Sequence, residues 1–244
     1  MLREILALLP RVVAVVGSFG SGKSEFAINL ALEMAKENPG HVALVDLDIV
    51  NAYFRVREIT ELLKARGVKP VAPQGELAYG DLPIYGPGVK TLLKNQDCKV
   101  VLDVGGDDCG AVALAGLAEV MEDFLVMMIV NPFRPFTKDR ASIEAMKKAI
   151  EEASRLPVNR LVSNPNLGWS TTPEIFEAGH QKVMEVAESQ KLPVLCALAV
   201  EPLLTRWKRK PQTLGVPLVK MNVYLTPGWL VDQQLKEAER KQGF

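Results

Sequence analysis

Cysteine is scarce. The 244 residues hold only Cys98, Cys109 and Cys196, none in a C-x-x-C pair or at zinc-ligand spacing. That excludes a disulfide framework and fits a reducing, cytoplasmic setting. Of these, Cys109 reads as a small buried side chain, with no second ligand nearby in sequence; redox sensing or binding of a delivered metal is the alternative. The two histidines, His41 and His180, have no cysteine or carboxylate at ligand spacing and read as structural or solvated. An excess of charge is also missing: 29 Lys and Arg balance 29 Asp and Glu, which argues against a dedicated nucleic-acid binder. Long apolar runs are absent as well. The run from Phe124 to Val130 is too short to cross a bilayer and reads as a buried strand. The opening Met1–Pro10 is apolar but carries Arg3 and Glu4 and lacks the order of a signal peptide. There is no internal repeat and no low-complexity segment. The length suits one α/β domain over 1–244, with a core over about 11–200 and a C-terminal extension over 201–244.

What is present begins with Gly17-Ser18-Phe19-Gly20-Ser21-Gly22-Lys23-Ser24, a full match to the phosphate-loop pattern G-x-x-x-x-G-K-[ST]. Glycines let the backbone curl so that successive N–H groups point at one place, and the N-terminus of a following helix completes an anion cradle. In such a loop Gly17, Phe19, Gly20, Ser21 and Gly22 would line the phosphates. Lys23 would reach the β- and γ-phosphates, and the Ser24 hydroxyl would hold Mg²⁺. The context agrees. A β-branched run, Val12–Val16, enters the loop, and an amphipathic stretch leaves it with Phe26, Ala27, Leu30, Ala31 and Met34 on one stripe.

Strand-like runs alternate with helix-period runs through the chain. The pattern predicts a doubly wound, mostly parallel sheet of about seven strands with helices on both faces. A second strand, His41–Val45, finishes at Asp46-Leu47-Asp48, putting two carboxylates at a strand's C-terminal end, where open α/β sheets bind ligands. A third, Lys99–Asp103, runs into Asp103-Val104-Gly105-Gly106, a D-x-x-G turn. In a phosphate-loop protein such an aspartate holds Mg²⁺, and the glycine N–H, here Gly106, senses the γ-phosphate. Further expectations are a helix from Gly110 to Met121, a strand over Phe124–Val130, and a helix from about Thr137 to Ser154. They continue with a strand over Arg160–Ser163, a helix over Pro173–Ser189 and a last strand over Pro193–Val200. The Pro- and Gly-dense stretch 67–88 reads either as a lid or partner-binding loop or as irregular surface. Arg206-Trp207-Lys208-Arg209-Lys210 reads as a solvated basic face, with a membrane or acidic-partner contact as the sharper alternative. Trp169 and Thr171–Thr172 are candidates for a pocket wall.

Taken together, Gly17–Ser24, the Asp46/Asp48 pair, Asp103–Gly106 and an asparagine after a later strand resemble one branch of phosphate-loop NTPases, the SIMIBI class. Within it the likeness is to the CobQ/CobB/MinD/ParA-type nucleotide-binding domains. The resemblance implies ATP and Mg²⁺ as ligands, with Lys23 and Asp48 as catalytic residues, Asp48 positioning the attacking water. It implies Ser24, Asp46 and Asp103 on the metal side and Asn164 touching adenine. No guanine-reading N-K-x-D is found, since Asn131 and Asn164 are each followed by proline. One departure stands out. The second lysine of MinD/ParA-type loops, which reaches across a dimer, is replaced by Ser18. Arg55 or Arg57, after Asp48, is the expected substitute cation, with surface or partner contact as the alternative for both. A homodimer and a protein partner, reading the segments after Asp48 and Asp103, are what the resemblance implies for an ATPase switch. The other function class it allows is an ATP-dependent synthetase of the dethiobiotin-synthetase or cobyrinate-synthase type. No glutaminase-like Cys/His set accompanies it.

Overall fold

The eight strands that follow are apolar almost without interruption because both faces of their sheet are covered. The computed structural model describes residues 2–48, 52–71, 88–106, 108–207 and 214–225, without the side chains of Leu2, 52–58 and Asp108. In chain order the strands are β1 (Val12–Val16), β2 (Val42–Leu47), β3 (Val68–Val71), β4 (Lys99–Val104), β5 (Phe124–Val130), β6 (Arg160–Ser163), β7 (Val194–Val200) and β8 (Leu218–Met221). They form one sheet in the order β3-β2-β4-β1-β5-β6-β7-β8, and every pairing is parallel. Parallel neighbours need crossovers, which the helices supply. These are α1 (Leu2–Leu6), α2 (Lys23–Glu37), α3 (Ala52–Ala65), α4 (Gly88–Lys94), α5 (Asp108–Ala115), α6 (Arg140–Ser154), α7 (Pro173–Gln190) and α8 (Glu201–Arg206).

The two-residue period of a strand sorts β1 between two cores. Val12, Ala14 and Val16 pack with Leu114, Leu117, Ile143, Ile150 and Val183, from α5, α6 and α7 and the turn after α5. Val13 and Val15 pack on the other face with Phe26, Leu30 and Met34 of α2 and Leu63 of α3. The chain leaves β1 toward β2 and β3, returns to β4, then runs from β5 to β8 on the other side. Strand order therefore reverses beside β1, and the crevice at that reversal is where such sheets take ligands.

Several boundaries differ from the sequence expectation, each for a physical reason. The described sheet has eight strands. β3 falls within the Pro- and Gly-dense stretch 67–88, and its Pro70 is tolerated because β3 is an edge strand. β8 lies in what was read as an extension. Its partner β7 is distant in sequence, so no local pattern announces the pairing. β2 runs on to Leu47, which brings Asp46 inside the sheet. The helix expected to reach Met121 stops at Ala115 and a 3₁₀ turn, Ala118–Val120, follows. α6 begins only at Arg140, where Asp139 and Ser142 form a reciprocal capping box. Of the stretch 67–88, residues 72–87 lie outside the described residues, as do 208–213 and 226–244. Among the described residues no helix is long and apolar enough to cross a membrane.

Candidate functional site

The loop between β1 and α2 is shaped by peptide planes that are held one by one. A trans peptide carries its C=O and the next N–H on opposite sides, so fixing a carbonyl aims the neighbouring N–H the other way. The Ser18 carbonyl accepts from Lys23 Nζ at 3.1 Å and from the Ser21 N–H at 3.2 Å. The Ser21 carbonyl accepts from Asn164 Nδ2 at 2.7 Å, which turns the Gly22 N–H away from Asn164. The Gly20 carbonyl accepts from Arg134 Nε at 3.0 Å. Gly22 has φ 96° and leads α2 with no side-chain cap, which points the positive end of the helix dipole at the loop. A Cβ at Gly22 would run into the Asn164 amide. The hydroxyls of Ser18 and Ser21 are fully buried and have no hydrogen-bond partner among the described residues. Buried polar groups are rarely left that way without a ligand or water to meet them.

Lys23 is buried, and Ser24 half-buried on the first turn of α2. Gly106, in the turn after β4, closes on the loop from the other side. A Cβ there would sit 2.8 Å from the Phe19 nitrogen and 3.0 Å from Lys23 Nζ, so only glycine fits this approach. The D-x-x-G turn thus meets the phosphate loop directly.

Asp46 and Asp103 are register partners in the β2·β4 ladder. Partners in a parallel ladder project to the same face, so two carboxylates stand side by side, both buried. Like charges at such a position oppose each other, and a cation resolves the conflict. Asp46 Oδ1 accepts the Asp48 N–H at 2.9 Å, a turn that fixes where the chain leaves β2. Oxygen donors from Ser24, Asp46 and Asp103 suit Mg²⁺, which takes one or two carboxylates and completes its shell with phosphate and water. Among the described residues no group of three or more His, Cys, Asp or Glu is placed to hold a metal ion.

Asn131 and Asn164 sit at the tips of β5 and β6, both buried. Asn131 organises the turn after β5: its Nδ2 donates to Asn166 O at 2.8 Å and its Oδ1 accepts from the Phe133 N–H at 3.1 Å. Its carbonyl accepts from Thr137 Oγ1 at 2.6 Å. Behind Asn164, the buried His180 spans Ser163 Oγ and the Leu214 carbonyl, each at 2.9 Å. The Leu214 carbonyl can only accept, so Nε2 carries the proton and Nδ1 accepts from Ser163. Burial holds this imidazole below its usual range and keeps it neutral. Ser163 is fully buried, so the pair is a structural staple with no access for a substrate.

The structure brings Gly17–Ser24, Asp46, Asp48, Asp103, Gly106 and Asn164 to the C-terminal edge of the sheet. Two contributors escaped sequence reading. Arg134 follows β5, and only the strand order reveals that β5 neighbours β1. Glu25, one residue past the motif, accepts from the Tyr224 and Leu225 N–H groups at 2.9 and 2.8 Å. Asn29 exchanges two bonds with the Asn222 backbone, so residues 222–225 clamp α2 along its outer side. Other expectations are corrected. Cys109 is exposed, because it opens α5 at the surface. Trp207 is no part of a solvated face: it is buried edge-on against Phe176, with ring centroids 5.0 Å apart. Arg206 donates to Trp169 O, and Thr171 Oγ1 bonds Gly168 O and the Leu167 N–H, so the Trp169 region is tied into its own turn. His41 is exposed. The side chains of Arg55 and Arg57 lie outside the described residues.

No model of a known protein family matches this chain, and no curated protein matches it in sequence. Solved structures do. The signal recognition particle 54 kDa protein from Aeropyrum pernix K1, in complex with GDP, matches with a TM-score of 0.51 at 14% identity. The match covers 79% of this chain and 45% of that one. FtsY from Mycoplasma mycoides matches with a TM-score of 0.50 at 15% identity, over 75% of this chain and 59% of that one. This chain therefore spans about half the length of the proteins it resembles. What the likeness shows is the fold, that of the phosphate-loop NTPases.

Proposed function

We propose that the chain binds Mg·ATP on the Gly17–Ser24 loop, hydrolyses it, and acts as a nucleotide-driven switch of the MinD/ParA type on a protein partner. The observation that carries this reading is the convergence of the loop, the buried Lys23 and the paired Asp46 and Asp103 on one crevice. Loop amides and Lys23 would hold the β- and γ-phosphates, and Ser24, Asp46 and Asp103 the metal, which supplies charge neutralisation when bound. Asp48, placed by its bond to Asp46, would orient the attacking water. Asn164 spends its Nδ2 on the loop, which leaves Oδ1 to accept from an exocyclic amino group such as that of adenine. The turn at Gly106 touches the loop, so losing a γ-phosphate would free the segment after Asp103, and a partner could read that change.

Phosphate release by the purified chain, with Mg²⁺ and ATP or GTP, tests the reading. Turnover of ATP without any small-molecule co-substrate is expected, and it should be faster than turnover of GTP. Strict dependence on an added carboxylate would favour a synthetase instead. Turnover of GTP alone would overturn the choice of base.

A further inference from the structure

Arg134 belongs to no motif, yet it touches the phosphate loop at its middle. Nε donates to the Gly20 carbonyl at 3.0 Å, and Cζ lies 3.6 Å from where a Cβ on Gly20 would stand. The backbone that carries it is rigid. The Arg134 N–H donates to Asn131 O at 3.1 Å, the Thr137 N–H donates to Arg134 O at 3.0 Å, and Thr137 is fully buried. The guanidinium itself is exposed, and among the described residues no carboxylate pairs with it. A guanidinium offers five N–H donors in a planar fork. The Gly20 bond uses one of them and leaves both Nη groups to another acceptor.

Holding a loop carbonyl needs no charge. Asn164 does it for Ser21 with a neutral amide. A cation at Gly20 therefore calls for a second role. The loop also lacks charge relative to its task. A triphosphate carries several negative charges, Lys23 is the one cation within the motif, and Ser18 is fully buried and presents nothing outward. We propose that Arg134 is the cis-acting cation of this site, holding Gly20 through Nε while its Nη groups contact the triphosphate seated on the loop. The same residue then couples loop shape to phosphate charge: the peptide it holds is the one whose N–H bonds back to Ser18. This inference rests on the nucleotide reading above.

The test is calorimetric titration of the full chain with inorganic tripolyphosphate and Mg²⁺, which removes the base from the question. ATP is titrated in parallel, and unfolding midpoints are measured without anion. Arg134→Ala and Arg134→Gln should each weaken tripolyphosphate binding roughly tenfold to a hundredfold. Arg134→Lys should recover part of that loss, and all three should unfold at the wild-type midpoint. Wild-type affinity in Arg134→Gln would reduce Arg134 to a neutral tie and overturn the proposal. Equal losses in all three variants would also overturn it, because charge would then not matter. A wild-type chain that binds neither tripolyphosphate nor ATP would defeat the nucleotide reading itself. Binding that is unchanged in every Arg134 variant would defeat this inference alone.

Discussion

The two halves of the sheet meet at β1 and treat the same loop in opposite ways. On the β2 and β4 side the strand tips carry Asp46, Asp48 and Asp103, with Asp46 and Asp103 buried and side by side. On the β5 and β6 side Asn164 and Arg134, a neutral amide and a cation, tie phosphate-loop carbonyls by directed hydrogen bonds, while Asn131 holds the turn after β5. The acidic half holds two buried carboxylates side by side. The other half ties the loop backbone directly, through Nδ2 of Asn164 and Nε of Arg134, and so fixes the loop's shape before any ligand arrives. The contrast is between a half that groups carboxylates and a half that pre-organises the loop.

The largest effect is expected where the loop backbone presses against Asn164. Gly22→Ala forces a side chain into a left-handed conformation and against Asn164. A strain of about 1–3 kcal/mol, with displacement of the Asn164 amide, should abolish measurable nucleotide binding while leaving a folded protein. Calorimetry and circular dichroism together check this. Wild-type affinity would show that the loop is not held as described.

Next is the acidic half. Asp103→Asn removes one of two adjacent buried charges, so it should lose Mg²⁺-dependent nucleotide binding by about tenfold or more. Without Mg²⁺ and nucleotide it should be as stable as wild type or more stable, by up to about 1 kcal/mol, because a like-charge neighbour is gone. Urea unfolding with and without Mg²⁺ and nucleotide reads both arms. Destabilisation in both conditions would mean that the pair is structural.

Asn164→Ala should behave in the opposite way. It leaves the Ser21 carbonyl without its donor and costs about 1–3 kcal/mol with or without ligand. A variant whose stability loss appeared only with nucleotide bound would erase the contrast between the halves.

The smallest effect lies behind Asn164, at His180. Its folded-state value lies below the usual 6.5, because burial disfavours the charged ring. The unfolded chain then binds the extra proton more readily. Stability from this residue is therefore present above about pH 6.5 and falls as pH drops below it, by at most about 1.4 kcal/mol per pH unit. His180→Gln should flatten that acid limb in urea unfolding between about pH 5 and 8. An unchanged slope would place the acid sensitivity elsewhere.

What the sequence made legible was local. The phosphate loop, the strand entering it, Asp46 at a strand tip and the D-x-x-G turn are each a few contiguous residues whose spacing carries their chemistry. What stayed hidden depends on contacts between distant residues. Arg134 becomes a loop residue only because β5 pairs with β1. β8 is visible only through β7, and the clamp of residues 222–225 on α2 joins positions nearly two hundred apart in the chain. Asn164 illustrates both cases. Its place after a late strand was readable, whereas its bond to Ser21 was not. Cys109, read as buried for want of a second ligand nearby in sequence, opens a surface helix turn instead.

The central claim is that Gly17–Ser24 seats a Mg²⁺-bound nucleoside triphosphate through Lys23. The most direct measurement is equilibrium titration of the purified chain with a fluorescent ATP analogue, with and without Mg²⁺, for wild type and Lys23→Ala. The account predicts saturable, Mg²⁺-enhanced binding to wild type, displaced by unlabelled ATP and weakened at least about a hundredfold in Lys23→Ala. Equal binding by the two proteins, or none by wild type, would contradict it.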